Sequence, residues 1–273
     1  MSAEVHIAPL RTVVPGRGAA ASLVIMGDST AVGLGDPLPA GGWRGFGPLL
    51  AAALGAAEQV GYLNLSFTGA RMACLRHRQL PEALRARPDV AVLLAGMNDT
   101  LRSDFDPAAV RDDLHDIVRA LQESGAMVAT ARFHEHERVF WLPGPLRRAL
   151  RHRVGLLNEA ITEVVADTGA LCLDLHLMDG AYDVAAWSVD RLHPSERGHR
   201  MLAAGFAELL TGAGVAVANP VDLTCSGGRR QTAVHHLVWL VVEGLPWLGR
   251  RGRDLLPHAA ALVARDLLGR LRR

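Results

Sequence analysis

Short, largely apolar runs recur along the chain, the first and third of them stopping at a glycine. Leu23–Met26, Gly61–Leu65, Val90–Ala95, Ala126–Thr130 and Leu171–Leu175 have this character. Runs of this length without polar alternation predict strands buried on both faces, as in a parallel sheet covered by helices. The stretches between them carry helical spacing. Pro48–Leu54 is a short helix closed by Gly55, and Ala70–Arg85 is a helix interrupted near Pro81. Asp106 and Pro107 open a helix whose stripe of Val110, Leu114, Ile117, Val118 and Leu121 ends at Gly125. Leu146–Thr168 is another, and Ser195 caps a last one running to Leu210. Strand and helix alternate throughout, which predicts an α/β domain with a parallel sheet sandwiched between helices.

The same pattern divides the chain. Residues 1–21 are expected to be loosely ordered, 22–211 to form the main domain, 212–231 to act as a linker rich in Gly, Ala, Pro and Asn, and 232–273 to form an amphipathic helical extension. In that extension Leu237, Leu240 and Val241, then Leu255, Leu256, Leu262, Val263 and Leu267, fall at helical spacings. Such a stripe is expected to dock on the parent domain near the cleft, to mediate a homodimer, or to make a peripheral membrane contact through its arginines.

Composition narrows the partners. With 29 basic against 28 acidic side chains and a net charge of +1, the chain offers no electrostatic footprint for nucleic acid. Cys74, Cys172 and Cys225 are too few and too scattered for a disulfide framework or a zinc site. Residues 1–21 lack the basic and apolar blocks of a secretory signal, and no apolar run reaches the roughly 18 residues of a transmembrane span. A soluble, cytoplasmic protein acting on a small-molecule substrate is expected.

Candidate chemistry gathers where the predicted strands end. Gly27 and Asp28 break the first strand and present Ser29, which reads either as a helix N-cap or as a nucleophile. Gly69 follows the second strand, and Gly96-Met97-Asn98-Asp99 follows the third. Late in the chain, Asp190-Arg191-Leu192-His193-Pro194 places an acid and an imidazole three positions apart. Together these are the parts for acyl transfer. A serine hydroxyl needs an imidazole to take its proton, and the imidazole needs a carboxylate to fix its tautomer. The oxyanion needs donors, for which the backbone N–H groups of Ser29 and Gly69 and the side chain of Asn98 are suitable. Asp28 and Asp99 are expected to steady these loops. Asp174, Asp179 and Asp183 compete with Asp190 for the histidine but lack its spacing.

The polar stretch from Arg132 to Pro145 reads as a loop that forms a lid beside the site. Its His134-x-His136 pair, flanked by Glu135 and Glu137, is expected to be solvated rather than metal-binding, since no third ligand stands at a recognisable spacing. His176, His199, His235, His236 and His258 read as structural or surface residues.

Four blocks of the sequence resemble those of the SGNH, or GDSL-type, hydrolases, in the same order: Gly27-Asp28-Ser29, Asn64 to Gly69-Ala70, Gly96-x-Asn98-Asp99 and Asp190-x-x-His193-Pro194. Thr30 stands where the leucine of the name-giving motif would be. The resemblance implies a flavodoxin-like three-layer α/β/α sandwich and a serine ester hydrolase of esterase or lipase type, needing no cofactor and no metal. It implies Ser29 as nucleophile, His193 and Asp190 as its partners, and an acyl-enzyme intermediate. An acyltransferase using the same residues with a non-water acceptor, or a binding module without activity, would share the fold.

Overall fold

A computed structural model describes residues 22–139 and 142–226. The N-terminal segment 1–21 and the extension 232–273 lie outside these described residues.

Five strands, β1 (Ser22–Gly27), β2 (Gly61–Asn64), β3 (Val90–Leu94), β4 (Met127–Arg132) and β5 (Leu171–Asp174), form one parallel sheet in the order β2-β1-β3-β4-β5. This is the flavodoxin-like strand order. Every residue of β3 is buried, whereas β2 and β5 at the edges are half-buried along their length. The unbroken apolar character of Val90–Leu94 follows from that central position, where neither face meets water.

The helices cover both faces. On one, α2 (Phe46–Leu54) packs against α8 (Glu196–Gly212), with the rings of Phe46 and Phe206 stacked at 5.6 Å and both fully buried. On the other lie α6 (Pro107–Glu123) and α7 (Gly144–Thr168), packed on each other, and a continuous helical segment made of α3 (Met72–Cys74), a π-helical turn over Leu75–Gln79 and α4 (Leu80–Ala86). The stripe of Val110, Leu114, Ile117, Val118 and Leu121 is buried in the core, and Asp106 caps α6 by accepting from Ala108 N at 2.9 Å. The sequence pattern places a helical interruption near Pro81. The chain answers that proline by widening the preceding turn, because proline has no N–H for the His77 carbonyl and its ring crowds that group.

Two short helices begin at the strand ends: α1 (Ser29–Val32) after β1 and α5 (Met97–Thr100) after β3. Both stand at the carboxyl ends of the adjacent strands where the strand order reverses, the crevice in which open α/β sheets bind their ligands. After α8 the chain crosses back over α2, where Asn219 N and Nδ2 donate to Ala53 O and Ala52 O at 3.0 Å each.

Candidate active site

Ser29 sits on the first turn of α1. The capping role falls to Asp28, whose Oδ1 accepts from Thr30 N at 3.0 Å, so Ser29 Oγ is left for other partners. Gly27 is the only residue type that fits just before it, because a Cβ there would lie 2.4 Å from Leu94 O and 2.7 Å from Ala31 Cβ. That close approach of β1 to β3 and to α1 puts the serine hard against the sheet end.

His193 reaches Ser29 from the loop before α8. Its Nε2 lies 2.7 Å from Ser29 Oγ, and its Nδ1 lies 2.6 Å from Asp190 Oδ2. The loop is folded by Asp190 itself. Asp190 Oδ1 accepts from Leu192 N, His193 N and Ser188 Oγ at 2.8, 2.9 and 2.7 Å, an aspartate-centred turn that carries Arg191 at φ 57°. One carboxylate oxygen therefore builds the loop and the other faces the imidazole.

Burial alone would raise the Asp190 carboxyl, but the His193 hydrogen bond and charge and the neighbouring donors hold it below the ordinary carboxylate range. Burial would likewise lower His193, yet the hydrogen bond and charge of Asp190 and the charge of Asp28 raise it above its ordinary value. The pair is arranged to stabilise an imidazolium.

Asn98 stands beside Asp28. Its Nδ2 donates to Asp28 Oδ2 at 3.2 Å and to Ala70 O at 3.1 Å. The turn bringing it there starts at Gly96, whose φ of 120° is closed to side chains. Asp99 is buried and accepts from Met72 N and Arg71 Nε, both at 3.1 Å, which ties α5 to the loop following Gly69. Burial pushes Asp28 up to about 6, against the Thr30 donor, and Asp99 is raised for the same first reason.

These groups open onto a cavity of about 400 Å³ lined by Asp28, Ser29, Gly69, Asn98, Asp190 and His193 on the polar side. Apolar side chains from the β4 and β5 ends, among them Phe133, Leu175, Met178 and Trp187, line the remainder. His134 and His136 line it too, which corrects the expectation of a solvated loop: both are buried, with rings stacked at 4.0 Å and His134 4.5 Å from the Trp187 ring. The reason lies in the neighbours. Asn158 grips the Phe133 backbone from α7, accepting from its N–H at 2.7 Å and donating to its carbonyl at 2.8 Å, and so turns this segment inward. Burial pushes His136 down to about 4 and His134 well below its ordinary value, so both rings are neutral near pH 7. Among the described residues no cluster of three or more His, Cys, Asp or Glu could hold a metal ion, and no helix is long and apolar enough to cross a membrane.

Several supports act through partners far away along the chain. Gln79 is buried against Gly27, Asn64 Nδ2 donates to Ala31 O at 2.9 Å, and His199 Nε2 lies 2.9 Å from Leu34 O. Asp36 holds Arg44 through two bonds of 2.9 and 3.0 Å, and Arg44 reaches Glu196 of α8 at 2.8 Å. These ties join the loop after Ser29 to the helix after His193. Asp174 instead bonds His176 N at 2.9 Å, and Asp190 alone of the candidate acids faces His193.

Residues 25–201 match the model of the GDSL-like lipase/acylhydrolase family. A GDSL-like esterase of Mycobacterium tuberculosis is 32% identical over 196 residues, which cover 66% of this chain and 59% of that protein. An alpha/beta hydrolase enzyme from the metagenome of Lake Arreo, Spain, superposes with a TM-score of 0.58 at 23% identity, over 73% of this chain and 98% of its own. The psychrotrophic esterase EstA from Pseudoalteromonas sp., solved with monoethylphosphonate as inhibitor, gives 0.55 at 19% identity, over 71% and 98%. The last two likenesses carry the fold; the family model, matched from β1 into α8, carries the membership, and the chain belongs to the GDSL-like lipase/acylhydrolase family.

Proposed function

We propose that the protein hydrolyses uncharged carboxylic esters through an acyl-enzyme on Ser29. The observation that carries this reading is His193 standing between two partners, Asp190 at 2.6 Å and Ser29 at 2.7 Å, inside a cavity next to the sheet end. In the first step Ser29 Oγ attacks the ester carbonyl carbon as its proton passes to His193 Nε2. Asp190 holds the Nδ1–H tautomer and offsets the imidazolium charge. The tetrahedral oxyanion takes donors from Ser29 N–H, Gly69 N–H and Asn98 Nδ2. Collapse expels the alcohol, which leaves with the proton from His193. Water then attacks the acyl-enzyme with His193 again as base, releasing the acid and restoring Ser29.

The cavity supports an uncharged substrate arm. Among the described residues its lining carries no Arg or Lys, its imidazoles His134 and His136 are neutral near pH 7, and its acids Asp28 and Asp190 would repel an anionic one. Incubation with an alkyl phosphonate ester tests the reading. A single adduct mapped to Ser29, with no turnover of activated esters by Ser29→Ala, is expected; an adduct elsewhere, or full activity in Ser29→Ala, overturns it.

A further inference from the structure

In a parallel sheet successive residues of a strand point their N–H and C=O groups alternately to the two neighbouring strands. Along β1 the odd positions face β2, since Leu65 N donates to Ile25 O at 2.9 Å, and the even ones face β3, since Asp28 N donates to Leu94 O at 3.3 Å. Gly27 therefore faces the β2 side. There β2 has already ended: Asn64 is the last paired residue, and Ser66 N turns back to Asn64 Oδ1 at 3.0 Å. The N–H and C=O of Gly27 are left without strand partners, two residues before Ser29 and inside the core.

Gln79 fills the vacated place. Its Oε1 accepts from Gly27 N at 2.8 Å and its Nε2 donates to Gly27 O at 2.9 Å, so one carboxamide reproduces the two bonds that a continued β2 would make through one carbonyl and the amide two residues on. The side chain is 2% exposed. It is carried at the end of the π-helical turn Leu75–Gln79, directly before Leu80 and Pro81. The extra residue per turn that accommodates Pro81 also sets the direction in which Gln79 projects, and such single π turns recur at functional sites.

We infer that Gln79 is a positioning residue for the nucleophile: its two-point grip on Gly27 fixes the end of β1 and thereby the place of Ser29 Oγ against His193. The inference rests on Ser29 being the nucleophile. A buried amide and carbonyl without partners would draw the strand end toward other donors or water, and Gly27 has no room to shift toward the side where a Cβ would stand, which Leu94 O and Ala31 already crowd. The displacement would pass to Asp28 and Ser29. Misplacing a reacting group by about 1 Å can cost on the order of a hundredfold in rate.

The experiment compares Gln79→Met, which keeps the volume and removes both bonds, with Gln79→Asn, which keeps the carboxamide but draws it back by one methylene. Steady-state kinetics on a short activated ester, the rate of phosphonate labelling at Ser29 and the unfolding midpoint are read together. For Gln79→Met, kcat and the labelling rate are expected to fall by the same factor, on the order of 10- to 100-fold, with KM within about twofold. Gln79→Asn is expected to show a smaller loss of the same kind and keeps the test open if the methionine variant does not fold. A kcat within twofold of wild type in a folded variant, or a change confined to KM, overturns the inference. Phosphonate labelling of Ser29 in the wild type separates that outcome from a failure of the nucleophile assignment itself.

Discussion

His193 Nε2 lies 2.7 Å from Ser29 Oγ although 164 positions separate the two residues. Neither side chain reaches the other by local structure. Ser29 is held by the end of β1, and His193 by a loop that Asp190 folds and that α8 anchors through Glu196 and Arg44. The strap from Asp36 through Arg44 to Glu196 ties the loop after Ser29 to the helix after His193.

Asp190 performs its two tasks with different oxygens, and substitution can separate them. Asp190→Asn keeps an acceptor for Leu192 N and His193 N but turns an N–H toward His193 Nδ1, favouring the wrong tautomer. The expected result is a near-native unfolding midpoint with kcat reduced by roughly 100- to 10,000-fold. Asp190→Ala removes the turn-forming oxygen as well, so it should lower the midpoint in addition. Thermal unfolding and kcat measured on both variants check the separation; a normal kcat in Asp190→Asn would give the orienting role to another group.

In the proposed role of general base His193 must be neutral, so activity should rise with pH through its pKa. That value lies above the ordinary histidine value of about 6.5, because the Asp190 interactions and the Asp28 charge outweigh burial. The acidic limb of kcat/KM is therefore expected above pH 6.5 in the wild type. In Asp28→Asn one source of negative charge is gone, and the limb should move to lower pH. A pH–rate profile of the two proteins decides it, an unmoved limb showing that Asp28 does not act on His193.

The sheet and its helices were legible in the sequence because apolar runs report burial on both faces, and Val90–Leu94 is as central as its unbroken character implies. Blocks of residues at strand ends were legible because glycine, asparagine and aspartate stop strands for local reasons. Local pattern says nothing about Gln79, whose partner Gly27 is 52 positions away, nor about Asp36 and Arg44 meeting Glu196. The burial of His134 and His136 was hidden for a related reason. Imidazole in a polar loop reads as solvated until Asn158 and Trp187, both distant in sequence, are seen to enclose it.

Asn98 is committed on both amide hydrogens, to Asp28 Oδ2 and to Ala70 O. In the proposed mechanism an oxyanion forming at Ser29 would share one of them, so its stabilisation would appear in the transition state more than in the bound ester. Asn98→Ala is expected to lower kcat by about 100-fold, roughly 3 kcal/mol, with KM little changed. Steady-state kinetics on a soluble ester measure both constants. A change confined to KM would make Asn98 a substrate-positioning residue.

The cost of burying Asp28 beside Ser29 should be visible as a pH-dependent instability. Burial raises this carboxyl from 3.8 to about 6 in the folded chain, whereas in the unfolded chain it returns to its ordinary value. Between those two values the folded state binds more protons than the unfolded state, so the Asp28 contribution to stability is fully present below about pH 3.8 and is lost as pH rises through 6. Asp28→Asn cannot ionise and lacks this loss, although it forfeits the Asn98 hydrogen bond at every pH. Relative to wild type, the variant should therefore gain stability between pH 4 and pH 8, on the order of 2 kcal/mol at about 1.4 kcal/mol per unit of pKa. Urea unfolding of both proteins at the two pH values gives the difference directly. A stability difference independent of pH would mean that Asp28 is ionised in the folded protein as readily as in water, and that the Thr30 and Asn98 donors fully compensate its burial.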